Sequence, residues 1–361
     1  MRHFRVSFLV TILLMAVAGW WGYSHGGVSG LLQALWITGV LGVMEVSLSF
    51  DNAVVNASVL RHWNAFWQKL FLTVGILVAV FGMRLLFPLV IVSVATGLGL
   101  VDVWTMATTT PKIYAEHLTN NHAQVAAFGG AFLLLVLLNF LFDDEKELHW
   151  LGWAEEKVNA LGTESLAVLI TMGAVAACVA MGPAEQKYSV LASGIVGIAV
   201  YIGVNWISGL LEENEPDLQD EDGEETAVPA KSGNGDLIKS VARGSIGGFL
   251  YLEVLDASFS FDGVIGAFAI TNDVVIIMLG LAIGAMFVRS MTVFLVHKGT
   301  LDEFVYLEHG AHYAIGILAL IMFASVKYHI PEWFTGLSGV TFILVSLWSS
   351  LRHRKQQAAL A

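Results

Sequence analysis

Two short stretches of the chain share the frame acid-x-Ser-x-Ser-Phe-Asp in otherwise apolar surroundings. Residues 45–52 read Glu-Val-Ser-Leu-Ser-Phe-Asp-Asn, and residues 256–263 read Asp-Ala-Ser-Phe-Ser-Phe-Asp-Gly. Carboxylate, hydroxyl and amide oxygens are the ligands that manganese, calcium and magnesium prefer. Zinc and copper are less favoured, because the sequence has no cysteine or mid-span histidine near these stretches. The candidate metal ligands are Glu45, Ser49, Asp51, Asn52, Asp256, Ser260 and Asp262.

The acids of both stretches fall inside long apolar runs, where each unpaired charge costs about 2.5–3.5 kcal/mol in a membrane. Arg84 and Arg289, each in the middle of the next apolar run, are predicted to compensate two of these charges. The surplus of negative charge favours a bound cation. Two alternatives stay open: internal ion pairs of Asp51 with Arg84 and of Asp262 with Arg289, and a proton relay through the same carboxylates.

Helical geometry limits how the two acids of each stretch can meet. In a straight helix Asp51 lies about 120° from Glu45, and Asp262 lies about 120° from Asp256. Each pair can converge only if its helix is interrupted, which would also free backbone carbonyls to line a cavity. The predicted interruptions lie at 49–51 and 260–262.

Candidate gating residues lie outside the repeated frame. Glu116 and Glu308 each begin the apolar run that follows the arginine of their half. Glu253, three residues before Asp256, has Gly42 as its counterpart, so we expect it to act in one half only.

The composition predicts a membrane protein. Hydrophobic residues make up 56% and charged residues 13% of the 361 residues, against about 45–50% and 25% in soluble chains. The formal net charge of −12 is uneven, because nine acids and no lysine or arginine lie within 212–225. The sequence contains no recognisable phosphate-binding glycine loop and no Ser-His-Asp set. We therefore expect neither an enzyme nor a nucleic-acid-binding protein.

Apolar runs of about 18 or more residues predict an all-α polytopic bundle of nine or ten transmembrane helices. Residues 1–29 hold an N-terminal anchor span or signal-like segment, and 30–211 hold the first transmembrane half. An acidic flexible cytoplasmic linker follows at 212–238, and 239–361 hold the second half. The predicted spans lie near 6–22, 30–59, 70–98, 124–142, 164–181, 189–211, 240–270, 274–296, 311–328 and 333–351.

The distribution of lysine and arginine predicts the orientation of these spans. With ten spans and an inside N-terminus, the inner segments carry thirteen of these residues and the outer segments three. Both termini are therefore expected in the cytoplasm, with the chain in a bacterial cytoplasmic (inner) membrane. The second and seventh spans, which carry the two stretches, then run in opposite directions. Such an inverted-topology repeat predicts a binding site near the membrane midplane, between the halves.

The two stretches resemble motifs of the TerC family of integral membrane proteins, specifically its longer, DUF475-like bacterial branch. Residues 45–53 resemble E-x-x-L-S-x-D-N-A, and residues 256–271 resemble D-x-x-F-S-x-D-S-x-x-A-x-x-A-I-T. Residues 279–289 resemble the stretch that closes on the family's intramembrane arginine. Gly263 departs from the pattern, since the family usually has serine there. The resemblance implies metal binding by Glu45, Asp51, Asn52, Asp256 and Asp262.

The resemblance also implies metal-ion export, with manganese(II) the favoured substrate, or a role in tellurite and metal-stress resistance. The leading hypothesis is an exporter of a divalent cation that works by alternating access, with the bilayer and the cation as partners. No organic cofactor is implied, and a homo-oligomer is left open. Two rivals are a stress-responsive membrane scaffold that recruits partners through the acidic linker, and a proton-coupled exporter of a small organic solute.

Overall fold

The computed structural model describes residues 4–61, 63–75, 77–143, 148–212, 245–297 and 304–360. Within these ranges the chain is helical with no strand, which confirms the predicted all-α class. Two segments are π-helical, Phe71–Gly75 and Val78–Leu86, and Ala184–Gln186 forms a 3-10 turn. The α-helices are α1 Arg5–Leu48, α2 Phe50–Leu60, α3 Ala65–Leu70, α4 Phe87–Thr96, α5 Leu100–Thr109, α6 Pro111–Asn120, α7 His122–Leu141, α8 Trp153–Leu161, α9 Glu164–Met181, α10 Lys187–Glu212, α11 Ile246–Ile270, α12 Val274–His297, α13 Leu307–Ser325 and α14 Glu332–Leu360.

Eight helical stretches of the described ranges are long and apolar enough to cross a membrane. The first of them, α1, is two spans joined at Gly27, whose φ of 60° and ψ of −145° are not helical. The chain turns back there so tightly that a Cβ on Gly22 would overlap the carbonyl of Gly30. Helix α11 has 25 residues but falls outside the eight because of its three acids. These two features account for the difference from the predicted nine or ten.

The first arm of α1 packs antiparallel against α12. At one end the Ser7 hydroxyl donates to the carbonyl of Met286 at 2.6 Å and lies 2.6 Å from the Ser290 hydroxyl. At the other end Trp21 Nε1 donates to Asp273 Oδ2 at 2.9 Å. The first predicted span is thus an integral part of the bundle in this structure.

Asp273 joins this contact to the start of α12, because its other carboxylate oxygen accepts from the backbone N–H groups of Val275 and Ile276 at 3.0 and 3.2 Å. Replacing Asp273 by alanine should therefore remove a helix cap and a side-chain bond, and cost about 1–2 kcal/mol of stability. Thermal unfolding of the purified protein measures this. The exposed Glu116→Ala, inside α6, should change stability by less than about 0.5 kcal/mol, and an equal loss in both variants would contradict the assignment.

The second arm of α1 and α2 run parallel to α12. A Cβ on Gly42 would lie 3.2 Å from Ile283 Cγ2, and farther along the Thr292 hydroxyl lies 3.4 Å from the Ala53 carbonyl. Helices α7 and α13 pack closely in the main buried cluster, where a Cβ on Gly130 would lie 3.3 Å from the Ala319 carbonyl. Small residues allow such close approach of helices in membranes.

The predicted interruption occurs in the first stretch and not in the second. Helix α1 ends at Leu48, Ser49 has φ −99° and ψ 18°, and α2 begins at Phe50. Helix α11 instead runs without a break from Ile246 to Ile270, so the prediction at 260–262 is wrong. Length explains the difference, since 25 residues rise about 37 Å, whereas the 33 residues from 28 to 60 rise about 50 Å against a hydrocarbon core of about 30 Å. The predicted linker 212–238 lies outside the described residues apart from Glu212.

Candidate functional site

The two repeated stretches meet antiparallel at the centre of the bundle. Asn52 Nδ2 donates a hydrogen bond to Asp256 Oδ1. On the other side of the crossing, a Cβ at Gly263 would lie 2.9 Å from Glu45 Oε2. In the alignment of the two stretches Glu45 corresponds to Asp256, and Asn52 corresponds to Gly263. Replacing each residue by its counterpart in the other half therefore turns one contact into the other, as expected for an inverted repeat.

Glu45 is almost fully enclosed in this centre, with 1% of its surface exposed. Arg84 forms an ion pair with Glu45 Oε1, and the Ser49 hydroxyl donates to the same oxygen at 2.9 Å. Gly284 of α12 lies directly against the Glu45 side chain, where a Cβ would overlap Cβ and Cγ of the glutamate. The carboxylate is thus neutralised by an arginine of its own half and accommodated by a glycine of the other half.

Asp51 is buried but faces a different helix. Its Oδ1 accepts from the backbone N–H of Asn52 at 3.0 Å, and Oδ2 lies where a Cβ on Gly339 of α14 would be. The interruption at Ser49 therefore does not turn Asp51 toward Asp256. The side chain of Asp262 lies outside the described part of the chain.

A cavity of about 40 Å³ lies beside Asp256, between α11, α12 and the π-helical segments. A cavity needs about 10–15 Å³ on this measure to hold one water molecule, so this one has room for more than one. Several buried oxygens near it have no hydrogen-bond partner among the described residues: Asp256 Oδ2, both carboxylate oxygens of Glu253, and Oδ1 of Asn52 and of Asn56. The polar residues that line the cavity are Asn56, Arg84, Glu253, Asp256, Arg289 and Thr292.

Arg289 reaches the cavity from α12 and is only partly buried. Its Nε donates to the Leu72 carbonyl at 2.6 Å, within the π-helical segment Phe71–Gly75. A Cβ at Gly75, at the end of that segment, would lie 2.5 Å from Glu253 Oε1. Short π-helical segments are frequent at functional sites. This one places the Leu72 carbonyl where it accepts from Arg289, and its Gly75 leaves space for the buried Glu253.

Ser260 lies one turn after Asp256 on α11, with its hydroxyl beside the aspartate carboxylate. The two outer candidate gates lie away from this centre. Glu308, half-exposed at the start of α13, lies 3.5 Å from Arg61 at the end of α2. Glu116 is exposed on α6.

Among the described residues, no three of the histidine, cysteine, aspartate and glutamate side chains converge closely enough to hold a metal ion. The three described acids of the predicted set, Glu45, Asp51 and Asp256, therefore do not converge on one point in this conformation. Instead, two acids share the cavity with an amide and a hydroxyl, supplied by Asn56 and Thr292. Asn56 shares the helix face of Glu45, but the sequence carries no signal for Thr292 or for the glycines, because their role depends on which helices touch.

Comparison with known proteins identifies the kind of chain that carries this centre. The chain is 35% identical over 83 residues to "Uncharacterized membrane protein YceF" of Bacillus subtilis (strain 168). That alignment covers 22% of this chain and 31% of the relative, so the chain matches less than a third of the relative's length. No solved structure matches. The family described as "Protein of unknown function (DUF475)" matches residues 50–357, and this multi-pass membrane protein belongs to it.

Proposed function

We propose that this protein is a membrane transporter that exports a divalent cation, with manganese(II) the favoured substrate. The observation that carries the proposal is the cavity beside Asp256, the first acid of the second repeated stretch, where buried acid oxygens have no hydrogen-bond partner among the described residues. A buried carboxylate without a partner is costly, and a bound cation removes that cost. Oxygen ligands without thiolate or imidazole favour a hard cation.

The arrangement of charges suggests how the site is occupied and emptied. The Glu45–Arg84 pair is neutral, so Asp256, which lines the cavity, is available to attract a cation in this conformation. In the opposite conformation of an alternating-access cycle, Glu45 takes the role that Asp256 has here. Arg84 then compensates the charge of Asp256, which the cation has left. Glu308 and its partner Arg61 are suited to close one entrance.

The resemblance to the TerC family supports the same proposal, and the name of the relative, an uncharacterized membrane protein, supports its location in a membrane. We place the chain in a bacterial cytoplasmic membrane with both termini inside, on the strength of its lysine and arginine distribution. Neither an organic cofactor nor an enzymatic reaction forms part of the proposal.

Flux of manganese(II) into proteoliposomes that contain a metal-sensitive dye tests the proposal. Asp256→Asn keeps the size of the side chain and removes its charge, so we expect the flux to fall at least about tenfold. Glu185→Gln, an exposed acid in the 3-10 turn, should transport like the unmodified protein. Equal flux in the unmodified protein and Asp256→Asn would refute the site. No flux above that of empty vesicles would refute transport and favour a scaffold role, which deletion of 212–236 would then test by loss of partners.

A further inference from the structure

The cavity beside Asp256 is not a symmetric feature of the repeat. Glu253 has Gly42 as its counterpart, and the space next to Gly42 is filled by Ile283, whose Cγ2 would lie 3.2 Å from an added Cβ. The second half therefore contributes an acid that the first half cannot accommodate. Glu253 is 5% exposed, and neither of its carboxylate oxygens has a hydrogen-bond partner among the described residues.

The charges around the cavity depend on this one acid. Glu45 and Arg84 neutralise each other. The remaining charged residues that line the cavity are Glu253, Asp256 and Arg289. With Glu253 ionised the cavity is negative, and without that charge Asp256 and Arg289 cancel. Arg289 also directs its Nε to the Leu72 carbonyl, which leaves the acids for another cation.

Two neutral oxygens complete a set suited to a divalent ion. Asn56 is 5% exposed, and its Oδ1 has no hydrogen-bond partner among the described residues. The Thr292 hydroxyl donates to the Val288 carbonyl at 3.1 Å, so its lone pairs stay available. Two carboxylates, an amide oxygen and a hydroxyl oxygen match the preferences of manganese, magnesium and calcium. The volume of about 40 Å³ leaves room for an ion together with water.

We propose that Glu253, Asp256, Asn56 and Thr292 form the cation site of this conformation, and that Glu253 is a direct ligand supplied by one half only. The inference rests on the proposed function, since it names the ligands of the transported ion. It assigns to Glu253 a part in binding rather than in gating.

Equilibrium binding to the purified full-length protein tests the inference, with the spectroscopic signal of free aqueous manganese(II) as the readout. Glu253→Gln should raise the Kd for manganese(II) at least about tenfold, because it removes both a ligand and the net negative charge. Thr292→Val should raise it severalfold. The matched controls are Glu155→Gln and Thr171→Val, a buried acid bonded to the Leu151 N–H and a buried threonine bonded to the Ala167 carbonyl, and both should bind like the unmodified protein.

A measurement without metal separates ligand loss from misfolding. Glu253→Gln removes a buried charge without a partner, so the metal-free variant should unfold at the same or a higher temperature than the unmodified protein. Its stabilisation by manganese(II) should be lost. An unchanged Kd in Glu253→Gln, an equal weakening in Glu155→Gln, or no binding of manganese, magnesium or calcium by the unmodified protein would each overturn the inference.

The outcomes for the site and for transport are distinguishable. Binding that depends on Glu253 without any flux in proteoliposomes would refute the transporter and keep the site. Flux that depends on Asp256 together with a normal Kd in Glu253→Gln would refute the site of this conformation and keep the transporter.

Discussion

Replacing Arg84 by methionine should destabilise the protein by about 3–5 kcal/mol, because it leaves Glu45 as a buried charge without its ion-pair partner. The side chains of Arg84 and Glu45 are 2% and 1% exposed, so water cannot take over the lost interaction. Methionine keeps most of the volume and the apolar stem of arginine. Thermal or denaturant unfolding of the purified variant measures the loss.

The double variant Arg84→Met with Glu45→Gln should recover a large part of this stability, since neither charge then remains at that contact. Arg61→Met provides the matched control. Arg61 pairs with the half-exposed Glu308 at 3.5 Å and is more exposed than Arg84, so its loss should cost less than the loss of Arg84. Equal losses for Arg84→Met and Arg61→Met, or no recovery in the double variant, would contradict the role of the central pair.

Replacing Gly284 by alanine should have the second large effect. The added Cβ would overlap Cβ and Cγ of Glu45, which are not the free end of a flexible side chain. The helices α1 and α12 must separate or the glutamate must leave its position, at a cost of about 1–3 kcal/mol. Because either response disturbs the contact between Glu45 and Arg84, we expect manganese(II) flux to be lost together with part of the stability.

Gly173→Ala in α9 is the matched control for this substitution. Gly173 is exposed, and an added Cβ would meet no atom within 4 Å. Alanine is favoured over glycine in a helix by up to about 1 kcal/mol, so this variant should be as stable as the unmodified protein or more so. Normal flux in Gly284→Ala would show that the close contact is not needed for function.

The sequence is informative about the spans because lipid demands long apolar runs whose backbone is bonded internally. The same property hides the contacts, since lipid-facing and helix-facing positions are both apolar and periodicity does not separate them. The contact of Asp51 with Gly339 is an example of a contact that the sequence does not reveal. The angle of about 120° between Asp51 and Glu45 is predictable, but the helix that covers Asp51 is not.

Comparison of the two stretches identifies the residues that both contain. A residue that occurs in one half only receives little weight in such a comparison. Glu253 is outside the repeated frame, so the sequence suggests a gate rather than a ligand. The break at Ser49 is predictable from an overlong run, whereas the continuity of α11 reflects a length that needs no adjustment. The set of ligands that share a cavity depends on packing between halves distant in sequence, as with Asn56 and Thr292.

The glycine at position 263 makes the two sides of the crossing unequal. Asn52 holds Asp256 by a hydrogen bond, but Glu45 meets no side chain at the equivalent position. A carrier with two identical, inverted halves would offer an ion the same affinity from both sides of the membrane, because exchanging the halves exchanges inside and outside. In the proposed transporter, the missing amide at position 263 gives the inward-open and outward-open states different affinities for the ion. The two sides of the membrane are then not equivalent for transport.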